Sequence, residues 1–402
     1  MKTPSTLKVD SIQFLRAVAV VLVVYVHILD SSVFANPQQK NFYYLENWGA
    51  IGLDLFFVIS GFIMTIIAPN YTENKNWKDF LVKRALRIIP LYWLLSVFSV
   101  VMSVAKGATF TGEKILKTLL FIPFFDGEAF VFPIIPVGWS LSLEIYFYAL
   151  IAALLVFSNK EHIYKNLITL LMVLVVAGYL FKPTHQLLKF LTSPLLLEFA
   201  LGIVAGIIFK RANLIENINS KRYLKTGIIA STIMGLGLMI LSIFTGFSNV
   251  ADAAVVSDNP SIAAFRTFVW GLPCAIFLTG FVLLENLYQI KTPRIFIMLG
   301  DASYSCYLLH TTVLIPICMK IFKLSGIGNG DMYIFISLLV VSLGSIVFYQ
   351  YGERNLNTFI YNRYIVKRNI QLRLTYTKPA FFVTRVTSRF KKGAKAIDSP
   401  LV

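Results

Sequence analysis

The sequence predicts an all-α polytopic membrane protein, a bundle of about ten transmembrane helices with both termini cytoplasmic. Three observations carry this. Hydrophobic residues make up 57% of the 402 and charged residues only 14%, more apolar than a soluble core requires. The apolar residues fall into ten runs, at 12–34, 49–68, 88–105, 137–157, 166–181, 193–209, 226–246, 263–287, 300–322 and 332–351. Lys and Arg alternate between the connections: with the N-terminus inside, 27 of the 37 lie on the cytoplasmic side and 8 outside, and Arg16 and Arg266 fall within spans. That asymmetry is the positive-inside bias, which also accounts for the net charge of +17 without invoking nucleic acid.

The first run, IQFLRAVAVVLVVYVHILDSSVF, starts too far in and lacks a small-residue cleavage site for a removable signal peptide. It carries Arg16 and His27. Eleven residues at about 100° each bring both side chains to one face, with a rise of about 16 Å between them. Ionisable groups rarely face lipid, so this face is expected to line a protein interior or a wet cavity.

The next polar positions are placed by counting from the span ends. Asp54, in GAIGLDLFFVISGF, enters from outside by about one turn, and Glu144, in VGWSLSLEIYFY, by about two. Glu198 and Arg266 are similarly shallow and read as a structural pair. His310, in GDASYSCYLLH, lies near the middle of an outward-running span. His27, Asp54 and Glu144 therefore form a candidate catalytic site in the outer half, since a neutral network would be a cheaper glue. On the inner side KRALRIIPLYW places Arg84 and Arg87 on one face at the mouth of the third span. With Arg16 just above, they are candidates for a phosphate clamp, because guanidinium matches phosphate bidentately; Lys83 reads as an anchor.

Residues 110–137 are apolar but broken by Pro123, Gly127, Pro133 and Pro136, so an interfacial or re-entrant element is expected over the outer face. Cys274, Cys306 and Cys318 have neither metal nor disulfide spacing and read as core fillers. Residues 358–402 form a basic tail; from Lys367 on they hold nine basic residues against one acid, suited to anionic inner-leaflet lipid.

At these residues the sequence resembles the acyltransferase family 3 membrane proteins, over about 10–357. Arg16 and His27 resemble that family's opening signature, GLDLFFVISGF its second-span motif, and Arg84 and Arg87 its Arg-x-x-Arg motif. Trp139, Ser140 and Glu144 resemble its Trp-Ser-Leu-x-x-Glu segment, and Ser303, Tyr304, Tyr307 and His310 its late-helix segment. YGERNL resembles its usual ending, with Asn355 in place of proline. Five matches in the right order are specific where one would be weak. The IQFLRA opening is most similar to the exopolysaccharide branch.

The resemblance implies an integral inner-membrane enzyme that moves an acyl group, such as acetyl or succinyl, from cytoplasmic acyl-CoA to a hydroxyl of an exopolysaccharide or other envelope glycan, lipid-linked or polymerised. Acyl-CoA is then a co-substrate, and no permanently bound cofactor is implied. His27 is the expected general base. Asp54 or Glu144 would orient the imidazole or position the sugar. Trp139, Ser140, Tyr304 and His310 are expected to bind substrate, with Tyr304 and His310 as donors to a developing oxyanion. An internal channel along the Arg16–His27 face would let the thin pantetheine arm carry the thioester upwards while the phosphates stay below. The competing class is a transporter or flippase for lipid-linked sugars, against which stands the absence of a repeated half.

The charge asymmetry makes the orientation testable. Cysteine labelling from outside is expected to modify a probe in 247–262 and spare one in 212–220. The reverse pattern would overturn the orientation.

Overall fold

The computed structural model describes residues 10–35, 48–72, 76–126, 129–213, 222–245, 248–326 and 330–363. The chain divides into two units, Met1–Glu353 and Arg354–Val402. Among the described residues, ten helices are long and apolar enough to cross a membrane, and each overlaps one of the ten apolar runs. The basic tail beyond residue 363, with its expected lipid-surface role, lies outside the described residues.

The helices that carry polar groups are α1 (Asp10–Ala35) and α2 (Ile51–Ile67), then α3 (Trp77–Val104). Between α3 and α5 the chain forms a short helix α4 (Gly112–Leu119) and an antiparallel hairpin, β1 (Phe124–Asp126) with β2 (Ala129–Val131). The proline pattern did not specify this hairpin. After α5 (Gly138–Phe157) come α6 (Ile163–Phe181), α7 (Gln186–Leu191) and α8 (Leu196–Asn213). The chain continues through α9 (Arg222–Leu241), the short α10 (Ser248–Ala251) and α11 (Ala253–Asp258), then α12 (Pro260–Arg266) and α13 (Leu272–Tyr288). The first unit closes with α14 (Arg294–Asp301), α15 (Ser303–Leu309), α16 (Ile315–Ser325) and α17 (Gly330–Phe348). In the second unit the described part is a helix, α18 (Arg354–Tyr361).

Burial sorts these helices into a centre and a rim. The span containing α2 is 78% buried, whereas those of α3, α6, α9 and α17 are 28% buried. The rim helices expose Val97, Val101, Leu180, Ile233, Phe335 and Leu343, side chains that suit a lipid solvent. At the centre α2 packs on α8 nearly backbone to backbone. A Cβ on Gly61 would collide with the Phe199 carbonyl, and one on Gly202 with that of Val58. Small residues substitute here for a hydrophobic drive, which apolar lipid cannot supply.

Among the described residues, the first unit contains three π-helical turns, and each adjoins a buried ionisable residue. Thr267–Gly271 follows Arg266, His310–Leu314 starts with His310, and Tyr349–Glu353 ends on Glu353. One extra residue per turn rotates the helix and re-aims the side chains beside it.

One boundary moves and one expectation is corrected. The third helix begins at Trp77, eleven residues before the expected span start, so Arg84 and Arg87 sit within it. Arg266 pairs not with Glu198 but with Asp54, through Nε–Oδ1 and Nη2–Oδ2 contacts of 2.8 Å each. Its Nη1 donates to the Val250 carbonyl at 2.9 Å, and Glu198 accepts instead from Thr267. Asp54 and Arg266 are both essentially without solvent exposure. Losing one partner of such a pair strands a buried charge, at a cost of about 3–5 kcal/mol. Asp54→Asn is therefore expected to lower the thermal unfolding midpoint in detergent strongly, and the double change Asp54→Leu/Arg266→Met to recover part of the loss. An Asp54→Asn protein as stable as the parent would refute this.

Candidate functional site

Arg84 and Arg87, three residues apart on α3, point to one side of that helix and meet Arg16 of α1 across a cavity. Ser60 from α2, Ser140, Glu144 and Tyr148 from α5, and Ser303, Tyr304 and Tyr307 from α15 complete its polar lining. Phe56, Phe57, Ile63 and Met64 of α2 make the apolar wall. The space enclosed is about 760 Å³, part of it open to solvent.

Charge in the cavity lining is unbalanced, although Asp301 and Glu353 also lie near enough to act on Arg16. Glu144 is the one carboxylate in the lining, and its Oε1 accepts hydrogen bonds from Ser60 Oγ at 2.9 Å and Tyr148 Oη at 2.5 Å. The Arg84 guanidinium lies over the Tyr148 and Phe80 rings, 5.9 and 6.0 Å from their centroids. Among the described residues none of Arg16, Arg84 and Arg87 has an ion-pair partner within 4.0 Å. Arg84 Nε is buried without an acceptor. Three guanidinium groups against one carboxylate, two of the three only 9% exposed, form an environment that favours anionic oxygens.

The far rim of the cavity carries hydroxyls. Ser140 Oγ and Tyr307 Oη are 2.6 Å apart and reach the Val137 carbonyl at 3.0 and 3.1 Å. Tyr304 Oη donates to the Ile88 carbonyl at 2.7 Å. Three residues past Tyr307 stands His310, its ring 5.9 Å from that of Tyr307 and 5.1 Å from that of His27. His310 is fully buried. Its Nδ1 lies 3.0 Å from the Cys306 carbonyl, and since a carbonyl only accepts, Nδ1 holds the proton. The neutral ring then offers Nε2 as an acceptor, and Nε2 has no partner among the described residues. His27 is about a third exposed, with Nδ1 3.6 Å from Asp30 Oδ2.

Of the residues expected to act, Arg16, Arg84 and Arg87 are brought together, and His27 and His310 form a separate pair beyond them. Glu144, expected beside His27, joins the arginines instead. Its helix begins at Gly138, which packs on the hydroxyl of Tyr92 in the body of α3. Asp54, also expected beside His27, is held by Arg266. The carboxylate facing His27 is Asp30, one turn on, which the His-x-x-Asp spacing could have disclosed. Tyr304 and His310 do not fit the oxyanion-donor role, because backbone carbonyls already take the Tyr304 hydroxyl proton and the Nδ1 proton of His310. Trp139 is separated from Ser140 and lines a different pocket with Tyr92, Phe121 and Phe190. Neither histidine lines the arginine cavity, and Val20 and Val24 are buried on the α1 face between Arg16 and His27. The expected channel is thus a cavity that stops at Tyr307 and Ser140. Ser60 and Tyr148 are contributors that the sequence did not single out, and Tyr307 entered only through the family resemblance.

The three cysteines are buried and free. Among the described residues no group of three or more His, Cys, Asp and Glu side chains could hold a metal ion.

An acyltransferase domain model matches residues 9–351. Exopolysaccharide production protein ExoZ of Rhizobium meliloti (strain 1021) is 30% identical over 315 residues, covering 77% of this chain and 89% of that protein. Peptidoglycan O-acetyltransferase OatA of Listeria monocytogenes is 30% identical over 193 residues, 43% of this chain and 28% of its own length. Putative peptidoglycan O-acetyltransferase YrhL of Bacillus subtilis is 24% identical over 385 residues, 89% of this chain and 56% of its own. No solved structure matches. With ten apolar helices and a family match across most of its length, the chain is a multi-pass membrane protein that belongs to the acyltransferase 3 family.

Proposed function

We propose that the protein is an O-acyltransferase of the cytoplasmic membrane, which takes an acyl group from acyl-CoA in the arginine cavity and transfers it to a hydroxyl of an exopolysaccharide or related envelope glycan at His27. The observation that carries this reading is the set of three guanidinium groups, Arg16, Arg84 and Arg87, in one cavity without ion-pair partners among the described residues. Phosphates of coenzyme A supply the anionic oxygens such a set favours. The donor would enter at the arginines with its pantetheine arm directed towards Ser140 and Tyr307. From Tyr307 to His310 is three residues, about 4.5 Å of helix rise, so a short advance past Tyr307 brings the thioester to the histidines. His27, partly exposed and with Asp30 behind it, would take the proton of the incoming hydroxyl as the C–O bond forms. Similarity to a protein of exopolysaccharide production over most of both chains supports a glycan acceptor.

The two ends of this arrangement are expected to fail differently. Arg84→Ala or Arg87→Ala should weaken acyl-CoA binding by about 1.5–3 kcal/mol, roughly ten- to a hundredfold. Lysine at either position should restore only part of it, because the fork is lost. Unchanged acyl-CoA affinity in both alanine variants, measured by calorimetry, would remove the clamp. His27→Ala should reduce turnover by about 10²–10⁴-fold and leave acyl-CoA affinity within a few-fold. Substantial turnover in that variant would exclude His27 as the base.

A further inference from the structure

His310 has a place in the fold that substrate binding does not explain. It is fully buried, it opens a π-helical turn, and its ring stands 5.1 Å from that of His27 and 5.9 Å from that of Tyr307 on the cavity rim. Its Nδ1–H is committed to the Cys306 carbonyl, which leaves Nε2 as its one exchangeable position, without a partner among the described residues. His27 shows the complementary arrangement, with Nδ1 towards Asp30 and the side chain about a third exposed. The two imidazoles therefore join a partly exposed position to one that is buried on the cavity side.

We propose that His310 is the catalytic acid for the departing thiol, passing on the proton that His27 removes from the acceptor. This rests on the acyl-CoA reading above. The hydroxyl O–H breaks as the new C–O bond forms, and the proton goes to His27 Nε2. It crosses to His310 Nε2, directly or through one water. The C–S bond breaks, and the thiolate of coenzyme A takes the proton from His310 Nε2. Both rings end neutral, and ester and free thiol are the products. In this arrangement the hydroxyl comes from the partly exposed His27 side and the thiol from the Tyr307 side.

An acid that serves the leaving group matters only when the leaving thiolate needs the proton. Aryl thiolates, being much less basic than that of coenzyme A, leave without one. The test compares kcat/KM for acetyl-CoA and for the acetyl thioester of thiophenol, each measured in the parent and in His310→Gln. The expected result is a loss of about 100-fold or more with acetyl-CoA and a much smaller loss with the aryl thioester. His27→Gln is expected to lose activity with both, because the acceptor proton must be removed in either case. Equal losses with the two donors in His310→Gln would overturn the role, since misplaced packing does not distinguish leaving groups. Should that variant fail to fold, a series of thioesters of graded thiol acidity in the unaltered protein decides the matter. A nearly flat dependence supports protonation of the leaving group, and a steep one refutes it. If the unaltered protein acylates a glycan with neither donor, the acyl-CoA reading falls and this role with it; transfer with equal losses removes only His310.

Discussion

A charge inside a membrane must be paired or must face something other than lipid, and this constraint organises the molecule. It is met in two ways. Asp54 and Arg266 neutralise each other in a dry, doubly hydrogen-bonded contact that ties the central helix α2 to α12. Arg16, Arg84 and Arg87 are gathered around a cavity instead. Asp54 and the apolar wall of the cavity both belong to α2, so one helix holds a member of the stabilising pair and one wall of the cavity.

The cavity owes its position to an irregular segment. Pro133 and Pro136 precede Gly138, which packs on Tyr92 in the body of α3. From that start α5 carries Glu144 to the arginines and sets Ser140 against Tyr307.

The π-helical turns act on the same scale. Each lies beside a buried ionisable residue: Arg266, His310 or Glu353. The widened turn at His310 occurs where the helix passes from the cavity rim to the histidine pair. Glu353, at the end of its turn, accepts from Ser305 on α15, which joins the base of that helix to the last span of the first unit.

Much of this was legible in the residues. Ten apolar runs predicted ten helices, and the spacing of Arg84 and Arg87 put them on one side of a helix, because period and rise are properties of the local chain. The shared face of Arg16 and His27 follows from the same arithmetic, as does the contact between His27 and Asp30 one turn on. What the sequence could not decide was which distant charge meets which. Asp54 chose Arg266 over His27, Glu144 joined the arginines, and Trp139 parted from its neighbour Ser140. Each outcome depends on where a helix starts in depth and how it is rotated against its neighbours. Those quantities are set by prolines, π turns and glycine contacts acting across the whole bundle, whereas residue spacing reports only positions within one helix.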